Sequence, residues 1–210
     1  MKFLFLYPIL QLTIKWQKEN GWNSPEIKPF ENFSISPAAS TLHYAMQCFE
    51  GMKAYKGIDG SVRMFRPNKN MQRLKKSMSV LNMPIDFLDD EFLNCIKELV
   101  RLDKHWIPDG EGYSLYLRPA AIATNPYLGL APPDEILLFC ITSPVGPYYK
   151  TNFEPVQLTA ECDSVRAWPG GTGDAKVGGN YGPTIKPGFE ASLRGYSQVR
   201  LEIMMYPQKY

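Results

Sequence analysis

Histidine, closely spaced cysteines and runs of like charge are all scarce in this sequence of 210 residues. The two histidines, His43 and His105, stand far apart, and the four cysteines are scattered, so the short spacings of a zinc site are absent. No basic run reaches five residues and the formal net charge is +2, which argues against a nucleic-acid partner or an anionic membrane surface. No apolar run approaches the roughly 20 residues of a membrane span. The sequence therefore predicts a protein without a metal site, a nucleic-acid partner or a membrane segment.

The amino-terminal run, residues 1–10, is almost wholly apolar and looks somewhat like a secretory signal. Pro8 interrupts this run, and no small-residue cleavage site follows it. We therefore expect an unusual amino terminus on a soluble globular protein, with a signal peptide as the alternative.

Hydrophobic spacing predicts two consecutive helices. The first carries its apolar residues at helical intervals and ends before Pro84, and the second begins near Asp89, where acids favour a helix start. We expect their buried faces to comprise Met71, Leu74, Met78 and Leu81 in the first helix, and Phe92, Ile96, Leu99 and Val100 in the second. Short strands are predicted at residues 62–65, 114–117, 136–142 and 156–161.

Proline and glycine are concentrated between residues 143 and 155, a composition typical of a connection between domains. The sequence accordingly predicts a small α/β domain at residues 1–146, an interdomain linker at 147–155, and a second domain at 156–210.

The segment 166–182 reads RAWPGGTGDAKVGGNYG, with six glycines around a single lysine, Lys176. Glycines allow the backbone to approach a bulky ligand closely, and a lysine amine can attack a carbonyl to form a Schiff base. A phosphate-binding P-loop is excluded because Ala175 and Val177 flank the lysine. The dinucleotide pattern GxGxxG fails as well, since Lys176 occupies the place of its last glycine. A flexible glycine loop with an exposed lysine is the alternative interpretation.

Other segments accompany this one in a fixed order: LHYAMQCFEGMKAYKG at residues 42–57, then RMFRPNKNMQRL, SLYLRP and LLFCITSPVGPYY. Together with the glycine-rich segment, they resemble branched-chain aminotransferases from about Leu12 to Val199. The resemblance implies the α/β fold of fold-type IV pyridoxal-phosphate enzymes, similar to D-amino acid aminotransferase. In that fold, a small α/β domain precedes a larger pseudo-barrel domain, of which residues 156–210 would be an incomplete part.

The resemblance also implies roles for three residues toward pyridoxal 5'-phosphate. Lys176 matches the lysine that forms the Schiff base and transfers the proton. Arg73 matches the arginine that binds the phosphate, a role that suits its guanidinium fork. Tyr181 matches the tyrosine near the phenolic oxygen of the cofactor. The alternatives are a solvated helix residue for Arg73 and a packed surface tyrosine for Tyr181.

The substrate pocket implied by the resemblance has aromatic walls at Tyr44, Phe49 and Tyr116. Arg118 lies two residues after Tyr116, so both side chains share one face of a strand. In the family this arginine helps to receive the distal carboxylate of glutamate. A structural salt bridge is the alternative for Arg118.

A hydrophobic pair in NPYLGL, Leu128 and Leu130, matches a loop that closes over the pocket of a partner subunit. The resemblance thereby implies a homodimer. An ordinary hydrophobic turn is the alternative for these two leucines.

The implied function is a branched-chain-amino-acid transaminase that transfers the amino group of leucine, isoleucine or valine to 2-oxoglutarate. Its small-molecule substrates would be these amino acids, glutamate and the corresponding 2-oxo acids. We expect a cytoplasmic protein. Mitochondria are the alternative, because cytosolic and mitochondrial members of the family share these motifs. A D-amino acid transaminase or a lyase of the same fold type is a less consistent interpretation, since GGNYG and FEGMKAYKG match over their full length.

The resemblance stops after Val199, before the family's glutamate for the pyridine nitrogen, its remaining phosphate donors and its α-carboxylate loop. A truncated, non-catalytic chain that pairs with full-length subunits is therefore a second hypothesis. We also expect the strand at 156–161 to have an unpaired edge, and we expect Pro187 and Gly188 to weaken the helix that should follow Tyr181.

Overall fold

The computed structural model describes residues 10–87, 89–147 and 154–201. Eight strands form one antiparallel sheet in the order β2-β1-β8-β7-β5-β6, with β3 added beside β1 and β4 beside β7. These strands are β1 (Leu10–Gln17), β2 (Gly21–Trp22), β3 (Glu26–Pro29), β4 (Gln47–Phe49), β5 (Met52–Lys56), β6 (Val62–Met64), β7 (Ser114–Ala123) and β8 (Glu135–Val145). The signal-like residues 1–9 and most of the predicted linker, 148–153, lie outside the described residues.

Three helices belong to this part of the chain: α1 (Ser40–Tyr44), α2 (Pro67–Val80) and α3 (Asp89–Leu102). α2 starts earlier than its apolar spacing suggested, because Pro67 occupies the first turn, where the missing N–H would have no helical partner. The predicted apolar faces of α2 and α3 are confirmed as buried at Met71, Leu74, Met78, Phe92, Ile96, Leu99 and Val100. Leu81, also predicted, follows the last residue of α2 and is half-buried against the core.

The two central strands extend well beyond the predicted segments 114–117 and 136–142. Pro119 lies within the first of them, where β7 changes its partner from β5, which pairs with residues 115–117, to β4, which pairs with residues 120–122. The carbonyl of Pro119 accepts a hydrogen bond from the Glu50 N–H at 2.8 Å. A proline is tolerated here because the partner strand is interrupted at this position.

The second part of the chain contains β9 (Leu158–Glu161), α4 (Ile185–Leu193) and β10 (Gln198–Leu201). β10 pairs with β9 in parallel and forms a two-stranded sheet with it, so among the described residues β9 keeps one unpaired edge, as expected for the strand at 156–161. α4 forms despite Pro187 and Gly188. Pro187 is the third residue of α4, and the first four N–H groups of a helix have no partner within it.

The hydrophobic core lies between the large sheet and the helices α2 and α3. It joins fully buried side chains of β1, β7 and β8 to those of the two helices, and it includes Ala175 and Val177 beside the lysine. Within the described ranges, no helix has the length and apolar character required to cross a membrane. The mixed architecture confirms the predicted α/β fold class.

Replacing Leu138 by alanine should lower the free energy of unfolding by about 2 to 5 kcal/mol, because the side chain is fully buried in β8 and its loss leaves a cavity. Leu193→Ala is the matched control, since Leu193 is 71% exposed on α4 and should change stability little. Urea unfolding followed by circular dichroism measures both variants. Equal losses in the two variants would contradict the described core.

Candidate active site

The backbone of Lys176 is held by elements from the first part of the chain. Its N–H donates to Ser77 Oγ on α2 at 2.8 Å, and its carbonyl accepts from the Phe49 N–H at 3.1 Å. The next residue, Val177, forms an antiparallel bridge with Cys48 of β4. The N–H and the carbonyl of Lys176 are therefore both satisfied by residues far away in the chain, Ser77 at 99 positions and Phe49 at 127.

The glycine-rich loop before the lysine is closed by Asn180, which is buried. Its side-chain amide donates to the carbonyls of Thr172 at 2.8 Å and Ala175 at 3.0 Å, and its oxygen accepts from the Thr172 hydroxyl at 2.8 Å. Gly178 allows close contact with β4, because a Cβ atom there would lie 2.7 Å from the Gln47 side chain. The loop is therefore a fixed structure rather than the flexible one of the alternative interpretation.

The Lys176 amine lies beside two aromatic rings, those of Phe49 and Tyr181, whose centres are 5.0 Å apart. Nζ is 4.8 Å from the centre of the Phe49 ring and 5.3 Å from that of the Tyr181 ring, and it donates to the Tyr181 hydroxyl at 3.4 Å. Among the described residues it has no carboxylate partner. An amine with this environment is available to bind a carbonyl carbon, with a phenol at hydrogen-bonding distance.

A second cation, Arg166, is directed toward the same phenol. Its guanidinium lies 5.2 Å from the Tyr181 ring centre and donates to the hydroxyl at 3.5 Å and to the Gly173 carbonyl at 3.3 Å. Arg166 therefore links the glycine loop to Tyr181.

On β7, the side chains of Tyr116 and Arg118 lie together, as the strand alternation predicts. Arg118 donates to the Tyr116 hydroxyl from Nη2 at 2.8 Å and from Nε at 3.3 Å. Its guanidinium also lies 4.5 Å from the ring centre of Phe49. The salt bridge considered for Arg118 is not found among residues 10–87, 89–147 and 154–201.

Arg73 forms a two-point ion pair with Glu50, which is almost wholly buried. Nε lies 2.9 Å from Oε1 and Nη2 lies 3.0 Å from Oε2, while the Asn70 amide donates to Oε2 at 2.7 Å. The hydrogen bond with Glu50 raises the pKa of Arg73 above its ordinary value, so this residue remains a cation. Arg73 is nevertheless 57% exposed at its side chain, and it lines an open cavity of about 610 Å³. The other residues lining that cavity are Phe65, Arg66, Lys69, Asn70, Gln72 and Lys76.

Three of the predicted pocket residues stand apart from this arrangement. Tyr44 lies at the end of α1 with 42% of its surface exposed, and the ring that it contacts is that of His43. Leu128 and Leu130 are 67% and 79% exposed in the loop between β7 and β8. Their roles toward a substrate or a partner subunit stay predictions.

Sequence reasoning missed the residues that support the site, above all Glu50, Ser77 and Asn180. Glu50 belongs to FEGMKAYKG and Asn180 to GGNYG, two segments that carry the resemblance. Each is a polar residue between a glycine and an aromatic residue, and this pattern could have indicated a supporting role in the site. Nothing in the local sequence marks Ser77, because its contact with Lys176 is made only by the folded chain.

A family model described as amino-transferase class IV matches residues 47–202 of this chain. The curated branched-chain-amino-acid aminotransferase of Monosiga brevicollis is 53% identical over 188 residues, which are 90% of this chain and 48% of that protein. The cytosolic and mitochondrial enzymes of Saccharomyces cerevisiae are each 49% identical over 187 residues, 89% of this chain, and 50% and 47% of their own lengths. This chain thus spans about half the length of the curated relatives that it matches. Their names include both compartments considered for this protein.

Among solved structures, the T.th. branched-chain amino acid aminotransferase with pyridoxamine 5'-phosphate superposes with a TM-score of 0.67. It is 26% identical, and the match covers 91% of this chain and 59% of that one. The likeness agrees with the fold expected from the sequence.

The Glu50–Arg73 pair should be sensitive to the loss of its cation. Arg73→Ala is expected to lower the free energy of unfolding by about 1 to 3 kcal/mol, because the buried carboxylate loses two hydrogen bonds. Arg101→Ala is the matched control: its ion pair with Glu98 is exposed, so stability should change little. Urea unfolding of both variants checks this, and an Arg73→Ala variant as stable as Arg101→Ala would argue against the described pair.

Gly51 provides the space for the Tyr116 hydroxyl, since a Cβ atom at residue 51 would lie 2.2 Å from that oxygen. Gly51→Ala should therefore destabilise the fold by about 1 to 3 kcal/mol. The loss should be smaller in a Tyr116→Phe background, which lacks the oxygen. A double-mutant cycle of unfolding free energies measures this coupling. Gly182→Ala, where nothing lies within 4 Å, is the control, and an additive cycle would contradict the contact.

Proposed function

Because this chain belongs to the class IV aminotransferase family, we propose that it acts as a branched-chain-amino-acid transaminase that uses pyridoxal 5'-phosphate. The reaction transfers the amino group of leucine, isoleucine or valine to 2-oxoglutarate. The observation that carries the proposal is the Lys176 amine, which has no carboxylate partner among the described residues and lies beside the Phe49 and Tyr181 rings, within hydrogen-bonding distance of the Tyr181 hydroxyl.

The residues present fit the cofactor at two points. At one point, the amine of Lys176 lies beside two adjacent aromatic rings and has a phenol 3.4 Å away, which suits an aldehyde on a flat ring. At the other, Arg73 keeps part of its guanidinium exposed toward a cavity although Glu50 occupies two of its donors. A guanidinium so placed suits a phosphate dianion. When bound, the cofactor supplies an aldehyde carbon that accepts amino groups and a ring that withdraws electrons from the neighbouring C–H bond.

Each residue of the chain then has a definite task. Lys176 would hold the aldehyde carbon through Nζ until the substrate's amine replaces it there, and the released amine would then accept and return the proton of the substrate's α-carbon. Tyr181 would donate a hydrogen bond toward the cofactor's phenolic oxygen. Arg73 would hold the phosphate, and Asn180 would keep the lysine loop in place while Phe49 shields one side of the amine from water.

Substrate selection is proposed to depend on the face of β7 that carries Tyr116 and Arg118. Phe49 and Tyr116 would supply apolar surface for a branched side chain, and Tyr44, which lies apart from them at the end of α1, is proposed as a further wall. Arg118 is bonded to a phenol and is free of carboxylates among the described residues, so its charge is available to the distal carboxylate of glutamate. Leu128 and Leu130 are exposed in the loop that follows β7, and they would cover the pocket of a partner subunit in a homodimer.

Lys176→Ala should remove this activity. The purified chain is incubated with pyridoxal 5'-phosphate, reduced with borohydride and digested, and the modified lysine is identified by mass spectrometry. The native chain should carry the label on Lys176 and convert leucine with 2-oxoglutarate. Lys176→Ala should lose the label and at least about a hundredfold in rate. Lys186→Ala is the control, since this lysine is exposed on α4.

The remaining outcomes separate the rival functions. A label on Lys176 with turnover of D-alanine rather than leucine would favour a D-amino acid transaminase. No label on Lys176, together with co-purification of an intact homologue, would favour the non-catalytic chain that pairs with full-length subunits.

A further inference from the structure

Helix α2 contacts the lysine loop at two consecutive positions. Lys76 Nζ lies 2.6 Å from Asp174 Oδ2, in an ion pair whose side chains are both more than half exposed. The Ser77 hydroxyl, by contrast, is buried and accepts the Lys176 N–H at 2.8 Å. The exposed ion pair contributes little to the position of the loop, whereas the buried hydrogen bond fixes the main chain of the lysine itself.

The same helix carries Arg73, four residues before Ser77. Residues separated by four lie on one face of a helix, about 6 Å apart along its axis. Glu50 holds the guanidinium of Arg73 at its two hydrogen bonds, so this cation has a fixed place on the helix. α2 is therefore a rigid connection between a fixed cation and the main chain of Lys176.

We infer that Ser77 is a positioning residue that sets the distance between the Arg73 guanidinium and the Lys176 amine. The inference rests on the proposed function, in which these two groups bind opposite ends of the cofactor. A ligand held at two ends gains affinity only if both groups stand at the right separation. Loss of the Ser77 hydroxyl frees the Lys176 N–H, so the lysine can shift while Arg73 remains in place.

This geometry predicts a difference between two related compounds. Pyridoxal 5'-phosphate carries both the aldehyde and the phosphate, whereas pyridoxal carries the aldehyde alone. A shift of Lys176 relative to Arg73 weakens the binding of the first compound and hardly affects the second. A purely structural role of Ser77 in supporting the loop would weaken both compounds to the same degree.

The test measures, at increasing concentrations of each compound, the fraction of chain that borohydride labels on Lys176. Four proteins are compared: the native chain, Ser77→Ala, Ser77→Thr, which retains the accepting hydroxyl, and Ser79→Ala, a control on the exposed face of α2. Hydrogen exchange of the Lys176 amide in the absence of any compound is measured in parallel.

In Ser77→Ala, the half-saturating concentration of pyridoxal 5'-phosphate should rise about tenfold, the effect of losing one hydrogen bond. The value for pyridoxal should change little, and the Lys176 amide should exchange faster. Ser77→Thr should restore most of the preference for the phosphate compound, and Ser79→Ala should behave like the native chain.

Two results would overturn the inference, and only the second of them would also overturn the proposed function. An equal loss for both compounds in Ser77→Ala would show that Ser77 only supports the loop, and the proposed function would stand. A native chain that takes no label on Lys176 from either compound would overturn the proposed function and the inference together.

Discussion

The constraint on which the site depends is the clamping of the Lys176 peptide between β4 and α2. Fixing the backbone of one residue costs about 1 to 2 kcal/mol, and glycines lose more freedom than other residues. A loop with three glycines before its lysine would not hold an amine in place by itself. The hydrogen bonds that Lys176 accepts from Phe49 and donates to Ser77, together with those of Asn180 within the loop, offset this cost. The place of the lysine is therefore determined by the first part of the chain.

Three consecutive residues, Phe49, Glu50 and Gly51, connect the lysine to the other side chains of the site. Phe49 contacts the lysine, Glu50 binds Arg73, and Gly51 leaves room for the Tyr116 hydroxyl. A buried carboxylate is weak evidence for added stability, because its desolvation offsets much of the attraction to its partner. Its effect here is geometric: the two-point pair orients a guanidinium that is otherwise largely exposed.

The sequence predicts those structural features that depend on residues close together in the chain. The apolar spacing of α2 identified its buried face, and strand alternation placed Tyr116 and Arg118 together. The full length of β7 could not be predicted, because Pro119 is accommodated by a change of partner strand that only the folded sheet reveals. The hydrogen bond from Lys176 to Ser77 spans 99 positions and leaves no local pattern. The resemblance identified the chemical groups, whereas the residues that hold them had to be read from the structure.

The proposed reaction requires one pocket to accept two kinds of side chain, and the surroundings of Arg118 bear on that requirement. Its guanidinium lies 4.5 Å from the Phe49 ring centre and 5.2 Å from that of Tyr116, so two aromatic rings stand beside the cation. Rings in these positions stabilise the charge without a carboxylate partner, since the negative face of an aromatic ring attracts a cation. A guanidinium paired with a carboxylate would have its donors occupied, and an isolated one would be strongly hydrated. Among the described residues, the acceptor of the Arg118 side chain is the Tyr116 phenol. In the proposed reaction, the rings beside Arg118 would contact a branched aliphatic side chain, and its guanidinium would remain available to the carboxylate of glutamate.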